Sequence, residues 1–302
     1  MRRSLGVVGT LALAAGAGLA WGLAEAHSFV LRRHTVPVLP AGSRPVRILH
    51  LSDLHLTPSQ RDKVRWVREL AAEPLDAVIT TGDNLAHLEA VPTVLEALEP
   101  LLRLPGAFVL GSNDYFGPHP KNPFTYFASP TRVRPEPVRL PTDDLRRGLT
   151  DAGWLDLDNA RGVVQAAGSI LDLVGLDDPH IGRDSMPEAA ELAAGAATRI
   201  GVVHAPYTRA LDRLAADGAE LILAGHTHGG QVCVPLYGAL VTNCDLDTSR
   251  ASGLHGWPGV RPDSGGAGAF LHVSGGLGTS PYAPVRFACR PEATVLTLVP
   301  RS

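Results

Sequence analysis

The 302-residue chain is 45% hydrophobic and 19% charged, a balance that excludes wholesale disorder, and its length suits one large domain or two small ones. A net charge of −3 supplies no electrostatic attraction for nucleic acid, so no nucleic-acid partner is expected. The three cysteines, Cys233, Cys244 and Cys289, lack the C-x-x-C spacing of a zinc ribbon or thioredoxin-type site and allow at most one disulfide.

Arg2 and Arg3 precede an uncharged run from Ser4 to Ala24, rich in Leu, Ala, Gly and Val. About 20 apolar residues span a bilayer's hydrocarbon core. Residues 1–26 are therefore expected to form a single-pass N-terminal membrane anchor, with Trp21 at the interface. Ala24-Glu25-Ala26 offers a small-x-small site, so a cleaved signal peptide and a secreted protein are the rival expectation. The anchor is the favoured reading, with the folded domain outside the cytoplasm. Residues 27–45, carrying Pro37, Pro40, Gly42 and Pro45, read as a linker before a domain over residues 46–302.

Beyond the linker, short apolar runs alternate with helical stretches. Expected strands are Val46–Leu51, Ala77–Thr80, Ala107–Leu110, Ile170–Val174, Ile200–Val203, Leu221–Ala224, Phe270–Val273 and Thr294–Leu298. Expected helices are Ser59–Ala72, Val91–Arg103, Thr142–Ala152, Met186–Ala194 and Tyr207–Ala216. This alternation implies an α/β layered domain. Gly117–Pro141, with seven prolines, and the Gly-rich Asp245–Ala267 fit no regular element. The first, with His119, Lys121, Phe124, Tyr126 and Phe127, reads equally well as a substrate lid or as surface packing.

The chemistry-bearing residues follow the expected strands. Val46–Leu51 runs into Ser52-Asp53-Leu54-His55, where a carboxylate and an imidazole two residues apart can face one ion. Ala77–Thr80 ends in Thr81-Gly82-Asp83-Asn84, and Phe108-Val109-Leu110 leads to Gly111-Ser112-Asn113-Asp114. Val202-Val203 leads to His204, and Leu221–Ala224 to Gly225-His226-Thr227-His228-Gly229-Gly230-Gln231. Taken singly, each has an ordinary account: Asp after a strand caps a turn, and a lone His is more often a hydrogen-bonded core residue. Taken together they deliver Asp, His or Asn to five strand ends, where α/β sheets bind ligands. Carboxylate, imidazole and amide oxygen suit Mn, Fe or Zn. About seven such donors over-supply one ion, so two ions roughly 3.5–4 Å apart are expected.

The ordered series D-x-H, G-D-N, Gly-Ser-Asn-Asp, isolated His and G-H-T-H resembles the calcineurin-like metallophosphoesterase superfamily. Within it the chain resembles the bacterial, membrane-associated YkuE/YaeI-like branch. The match runs from about Val46 to Val299 and includes Gly276-Leu277-Gly278-Thr279-Ser280 and Arg290-Pro291-Glu292. The resemblance implies a four-layer αββα sandwich of two mixed β-sheets flanked by helices. It further implies that Asp53, His55 and His228 bind a first metal, that Asp83 bridges, and that His204 and His226 bind a second.

One position departs from the family pattern. Where the family usually reads Gly-Asn-His-Asp/Glu, this chain has Ser112 and Asn113. Ungapped, Ser112 takes the metal-binding Asn position; a small backbone shift would let Asn113 ligate through its amide oxygen instead, the alternative favoured here. Either way, the family's histidine proton donor is missing, and Asn113 is expected to help stabilise the transition state. The implied activity is dinuclear-metal hydrolysis of a phosphodiester or pyrophosphate by metal-activated hydroxide. The substrate would be a small molecule or, given the expected anchor, a lipid-linked phosphoester. The competing reading, favoured by the altered loop, is a catalytically weak or idle metal-binding scaffold. Of the other histidines, His27, His34, His87, His255 and His272 read as structural or exposed and His180 as a loop residue. The cysteines read as small apolar packing groups.

Overall fold

The computed structural model describes residues 2–119 and 137–301, and most of the expected lid, with Lys121, Phe124, Tyr126 and Phe127, lies outside the described residues. The strands are β1 (Val30–Leu39), β2 (Val46–Leu51), β3 (Ala77–Thr80), β4 (Gly106–Phe108), β5 (Leu155–Asp156), β6 (Arg161–Ala166) and β7 (Ser169–Leu176). They continue as β8 (Ala196–Val203), β9 (Leu221–Ala224), β10 (Cys233–Val234), β11 (Gly238–Ala239), β12 (Gly253–Pro258), β13 (Gly268–Val273) and β14 (Glu292–Pro300). The helices are α1 (Arg2–Glu25), α2 (Arg61–Glu69), α3 (Val91–Leu98), α4 (Ser112–Tyr115), α5 (Thr142–Asp151) and α6 (Thr208–Ala216).

Two mixed six-stranded sheets result, ordered β1-β14-β2-β3-β4-β5 and β12-β13-β9-β8-β7-β6. Alternation along each strand decides what lies on either side. Val46 and Ile48 of β2 and Ile79 of β3 face Leu171, Leu173, Ile200, Leu221 and Leu223 of the second sheet. The opposite face of the first sheet, with Leu49, Leu51 and Val78, is covered by Val64 and Val67 of α2, Val94 and Leu98 of α3 and Leu145 of α5. Ile222, Ala224 and Val203 meet Ala210, Leu211 and Leu214 of α6. The expected four-layer arrangement, helices on sheet on sheet on helix, is therefore present.

The apolar filling between the sheets changes character at one end. His50 of β2 and His272 of β13, both fully buried, place their Nδ1 atoms 2.8 Å apart across the gap. His272, expected to be structural or exposed, is thus a core residue bridging the layers.

Several expectations are corrected. Val30–Leu39, within the segment read as a linker, forms β1 and runs parallel to β14 along its length. As an edge strand it tolerates Pro37, where the register shifts. Met186–Ala194 is not helical, although its composition favours a helix. The carbonyls of Glu188, Ala190 and Glu191 instead accept hydrogen bonds from Arg161 and Arg199. Asp245–Ala267 is not wholly irregular: it contains β12, paired antiparallel with β13.

The anchor expectation is also corrected. Among the described residues, no helix is long and apolar enough to cross a membrane. A single-pass anchor, an extracytoplasmic placement argued from it and a membrane partner through this segment are accordingly unsupported. The last turns of α1 rest on the domain: Gly22 O accepts from Arg286 N at 3.0 Å, and Glu25 Oε1 from Cys289 N at 2.6 Å.

Candidate metal centre

The carboxyl ends of β2, β3, β8 and β9 converge at one edge of the sandwich. Backbone bonds stitch the first two loops together: Asp53 N donates to Gly82 O and His55 N to Asp83 O, each at 2.9 Å. Gly225 N donates to His204 O at 2.8 Å, tying β9's loop to β8's end. His226 N then reaches Asp53 Oδ2 at 3.0 Å, joining the second sheet to the first. Asp53, His55, Asp83, His226 and His228 all have positive φ, between 40° and 69°. Such conformations in non-glycine residues cost of order 1–3 kcal/mol each and cluster where side chains must be aimed.

The aiming produces two tight donor groups, Asp53–His55–His228 and Asp53–Asp83–His204, within each of which the ligand atoms lie within 4.8 Å of one another. His55 Nε2 and His228 Nε2 stand 3.2 Å apart, and His55 Nε2 lies 3.5 Å from Asp83 Oδ2. His228 Nδ1 is placed to donate to Gly278 O at 3.0 Å, which leaves its Nε2 lone pair facing His55 and Asp53. His204 likewise uses Nδ1 on Thr81 O at 2.6 Å, while its buried Nε2 has no hydrogen-bond partner and lies 3.4 Å from Asp83 Oδ2. The remaining expected residues are placed less directly. His226 belongs to neither tight group; its ring stands edge-on to His204, centroids 5.2 Å apart.

Asn113 meets the site as a donor. Its backbone N–H and its side-chain Nδ2 each reach an Asp83 oxygen at 2.7 Å, so the amide nitrogen, not the expected oxygen, faces the cluster. Ser112 Oγ contacts only that amide, at 3.5 Å. Gly111 is required here, because a Cβ would overlap Asp83 Oδ1 and press on His204 at 2.7 Å.

Burial pushes His55 down to about 4 and His226 and His228 well below the usual imidazole range, so each ring is neutral at neutral pH and keeps one nitrogen lone pair free. Burial, with Asp83 beside it, raises Asp53 to about 6 against the pull of His204. Burial opposes the charges on Asp83 and His204 alike, but their mutual attraction overrides it, holding Asp83 well below and His204 well above their ordinary values. Neutral imidazoles, an orphaned His204 Nε2 and paired carboxylates in one dry corner fit divalent cations such as Mn, Fe or Zn. They do not fit a neutral pocket.

Three residues without a role in the sequence reading support this corner. Asp114 accepts from Asn84 N, Leu85 N and Gly111 N at 2.7–3.1 Å, locking the Asp83 loop to the Ser112 loop. Arg286, fully buried, donates to the carbonyls of Gly275, Gly276 and Gly278 at 2.7–3.0 Å, and so holds the segment that orients His228. Asp178 follows β7, is fully buried with Oδ2 unpartnered, and is pushed up to about 7 by burial. Searching every strand end for acids would have found it. His180, read as a loop residue, lies with its ring 4.6 Å from that of His226 and its Nδ1 3.1 Å from Tyr207 Oη.

The family model of the calcineurin-like phosphoesterases matches residues 46–230. The chain belongs to this family. Among its relatives, a metallophosphoesterase of Aquifex aeolicus is 26% identical over 286 residues, covering 91% of this chain and 93% of the relative. The metallophosphoesterase YkuE of Bacillus subtilis is 25% identical, covering 99% of this chain and 96% of the relative. The phosphodiesterase YaeI of Escherichia coli is 26% identical, covering 90% and 88% respectively. As a calcineurin-like phosphoesterase, the chain carries its acids and imidazoles at the strand ends where the two donor groups form.

Two measurements probe the support of this corner. A Cβ at Gly225 would overlap Ser52 Oγ and lie 2.7 Å from Asp53 Oδ2. Gly225→Ala should lower stability by about 1–3 kcal/mol and reduce bound Mn²⁺, read by denaturant midpoint and metal analysis; an unchanged midpoint and stoichiometry would contradict the packing. Lys63, buried, donates from Nζ to Leu54 O at 2.7 Å and is pushed down to about 7 by burial and by Arg286, against an ordinary value of 10.5. The unfolded chain therefore holds this proton more tightly, and the wild type gains stability as pH rises from about 7 towards 10.5. Lys63→Met lacks that gain, so its stability relative to the wild type should fall across the range; a pH-independent difference in urea melts would refute the shift.

Proposed function

We propose that the protein is a metal-dependent phosphodiesterase whose two donor groups hold a pair of divalent cations. The observation that carries the reading is the position of Asp83, within 3.5 Å of His55 from one group and of His204 from the other. Two such cations, when bound, acidify a water for attack on phosphorus and neutralise charge on the phosphoryl oxygens.

The chain's own residues set the remaining terms. Asp53, His55 and His228 would hold one cation, His204 and His226 the other, with Asp83 between them. Asn113 fixes both oxygens of Asp83 by hydrogen bonds rather than supplying an oxygen itself. It can also donate a hydrogen bond to a phosphoryl oxygen, but it cannot deliver a proton. General-acid assistance is worth about 10²–10⁴-fold, and its absence at this position falls most heavily on poor leaving groups. The substrates favoured are therefore phosphodiesters or pyrophosphates with stable leaving groups. Similarity to the phosphodiesterase YaeI supports the same class.

Two outcomes are expected. With Mn²⁺ supplied, Asp83→Asn should lose at least about 10³-fold in turnover of an aryl phosphodiester, along with most of its bound metal; full activity and metal content would sink the assignment. In a panel of aryl and alkyl phosphoesters, the wild type should hydrolyse the aryl diester faster than the alkyl monoester. Faster alkyl-monoester turnover would overturn the leaving-group argument. Stoichiometric metal binding without hydrolysis of any member would instead favour the idle scaffold, to which the altered Gly111-Ser112-Asn113-Asp114 loop points.

A further inference from the structure

Cys233 begins β10 and Cys289 precedes β14, and both thiols meet at the back of the turn that carries His228. Cys233 Sγ lies 3.1 Å from Gly229 O, and Cys289 Sγ lies 3.4 Å from the same oxygen and 3.2 Å from His228 O. Both thiols are free, and both lie against the one carbonyl oxygen of Gly229. They share a wall of a cavity of about 1110 Å³, also lined by Trp21, Tyr237 and Arg290, so small solutes can reach them. Cys244 stands apart, its Sγ 4.0 Å from Pro206 O.

We propose that Cys233 and Cys289 form a thiol-oxidation site, converted to an intrachain disulfide by exchange with a low-molecular-weight disulfide, and that this conversion loosens the His228 turn. Cys289, the more exposed, attacks the small disulfide; one S–S bond breaks, a mixed disulfide forms and one thiol leaves with the proton. Cys233 then attacks Cys289 Sγ, and the second small thiol leaves with the second proton. The protein loses two hydrogens, and the small disulfide is reduced to two thiols.

The consequence follows from the hydrogens. The thiols are the donors facing the carbonyls of His228 and Gly229, and a disulfide has none to give. His228 O would retain Arg286 Nη1 at 3.2 Å. Gly229, at φ 62°, packs so closely that a Cβ would sit 2.7 Å from Cys289 Sγ. Movement of that sulfur towards Gly229 would press on the turn, and with it on the imidazole expected to hold metal.

The test uses the reduced full chain loaded with Mn²⁺ and treated with oxidised glutathione. Intact mass should fall by two hydrogens, peptide mapping should join Cys233 to Cys289 with Cys244 free, and dithiothreitol should reverse the change. Transfer of Mn²⁺ to a chelator should become about tenfold faster in the oxidised protein, the scale seen when residues supporting metal ligands are disturbed. Cys233→Ser should instead accumulate a glutathione adduct on Cys289. Adducts without a cross-link in the wild type, or a cross-link through Cys244, would overturn the site; unchanged metal release from cross-linked protein would overturn the coupling. The coupling rests on the proposed metal reading, whereas the cross-link does not. A chain that binds no Mn²⁺ yet forms the disulfide would refute the former alone.

Discussion

Two carboxylates withdrawn from water govern the architecture around them. Asp53 and Asp83 are 0% and 2% exposed, and an ionised acid in such surroundings persists only beside donors or positive charge. The protein supplies some donors: Ser52 Oγ to Asp53 at 2.6 Å, and the two N–H groups of Asn113 to Asp83. It surrounds them with imidazoles that burial keeps neutral, His55, His226 and His228, which bring lone pairs rather than compensating charge. That combination is unfavourable by itself and favourable around cations. The positive φ values at the candidate ligands show that the backbone, too, is held away from its preferred conformations to maintain the grouping.

The packing between the sheets changes from apolar to polar as the strands approach the site. Deep in the gap, Ile48, Ile79, Leu221 and Leu223 interlock. One step nearer the site, His50 bonds across to His272 and, through Nε2, to Thr81 Oγ1 at 2.9 Å. The carbonyl of the same Thr81 accepts from His204 Nδ1. A buried polar path thus connects the middle of the sandwich to a candidate ligand, and directional hydrogen bonds of this kind fix orientation more sharply than apolar contact can. Burial pushes His50 down to about 3 and so keeps its ring uncharged.

Much of this was legible from local pattern. Motifs such as Asp53-Leu54-His55 and His226-Thr227-His228 stand out because ligand pairs separated by two residues sit directly after apolar runs. The strands beneath them, such as Leu221–Ala224, are short and fully buried, so composition alone revealed them. What stayed hidden depends on distant partners. β1 reads as a Pro-rich linker until β14, more than two hundred residues later, offers it a ladder. Met186–Ala194 reads as a helix until Arg161 and Arg199 claim its carbonyls. Asp114 and Arg286 act through backbone groups of other loops, which leaves no periodicity to detect. The apolar run at the N-terminus misled for the opposite reason, since its composition resembled an anchor while its last turn bonds Arg286 and Cys289.

The departure at Asn113 is where sequence and geometry inform each other most. Aligned motifs raise the question of which atom replaces a missing ligand and a missing proton donor. The structure places the amide nitrogen and the backbone N–H of Asn113 on the two oxygens of Asp83, so this residue acts on the carboxylate rather than beside it. Asp114, next in sequence, holds Asn84 and Leu85 from the other side, so the Asp83 loop is clamped at both ends by one short helix. A loop built this way contributes rigidity and charge orientation but no transferable proton. The hydrolysis proposed above, of esters whose leaving groups need little help, asks no more of this loop than that.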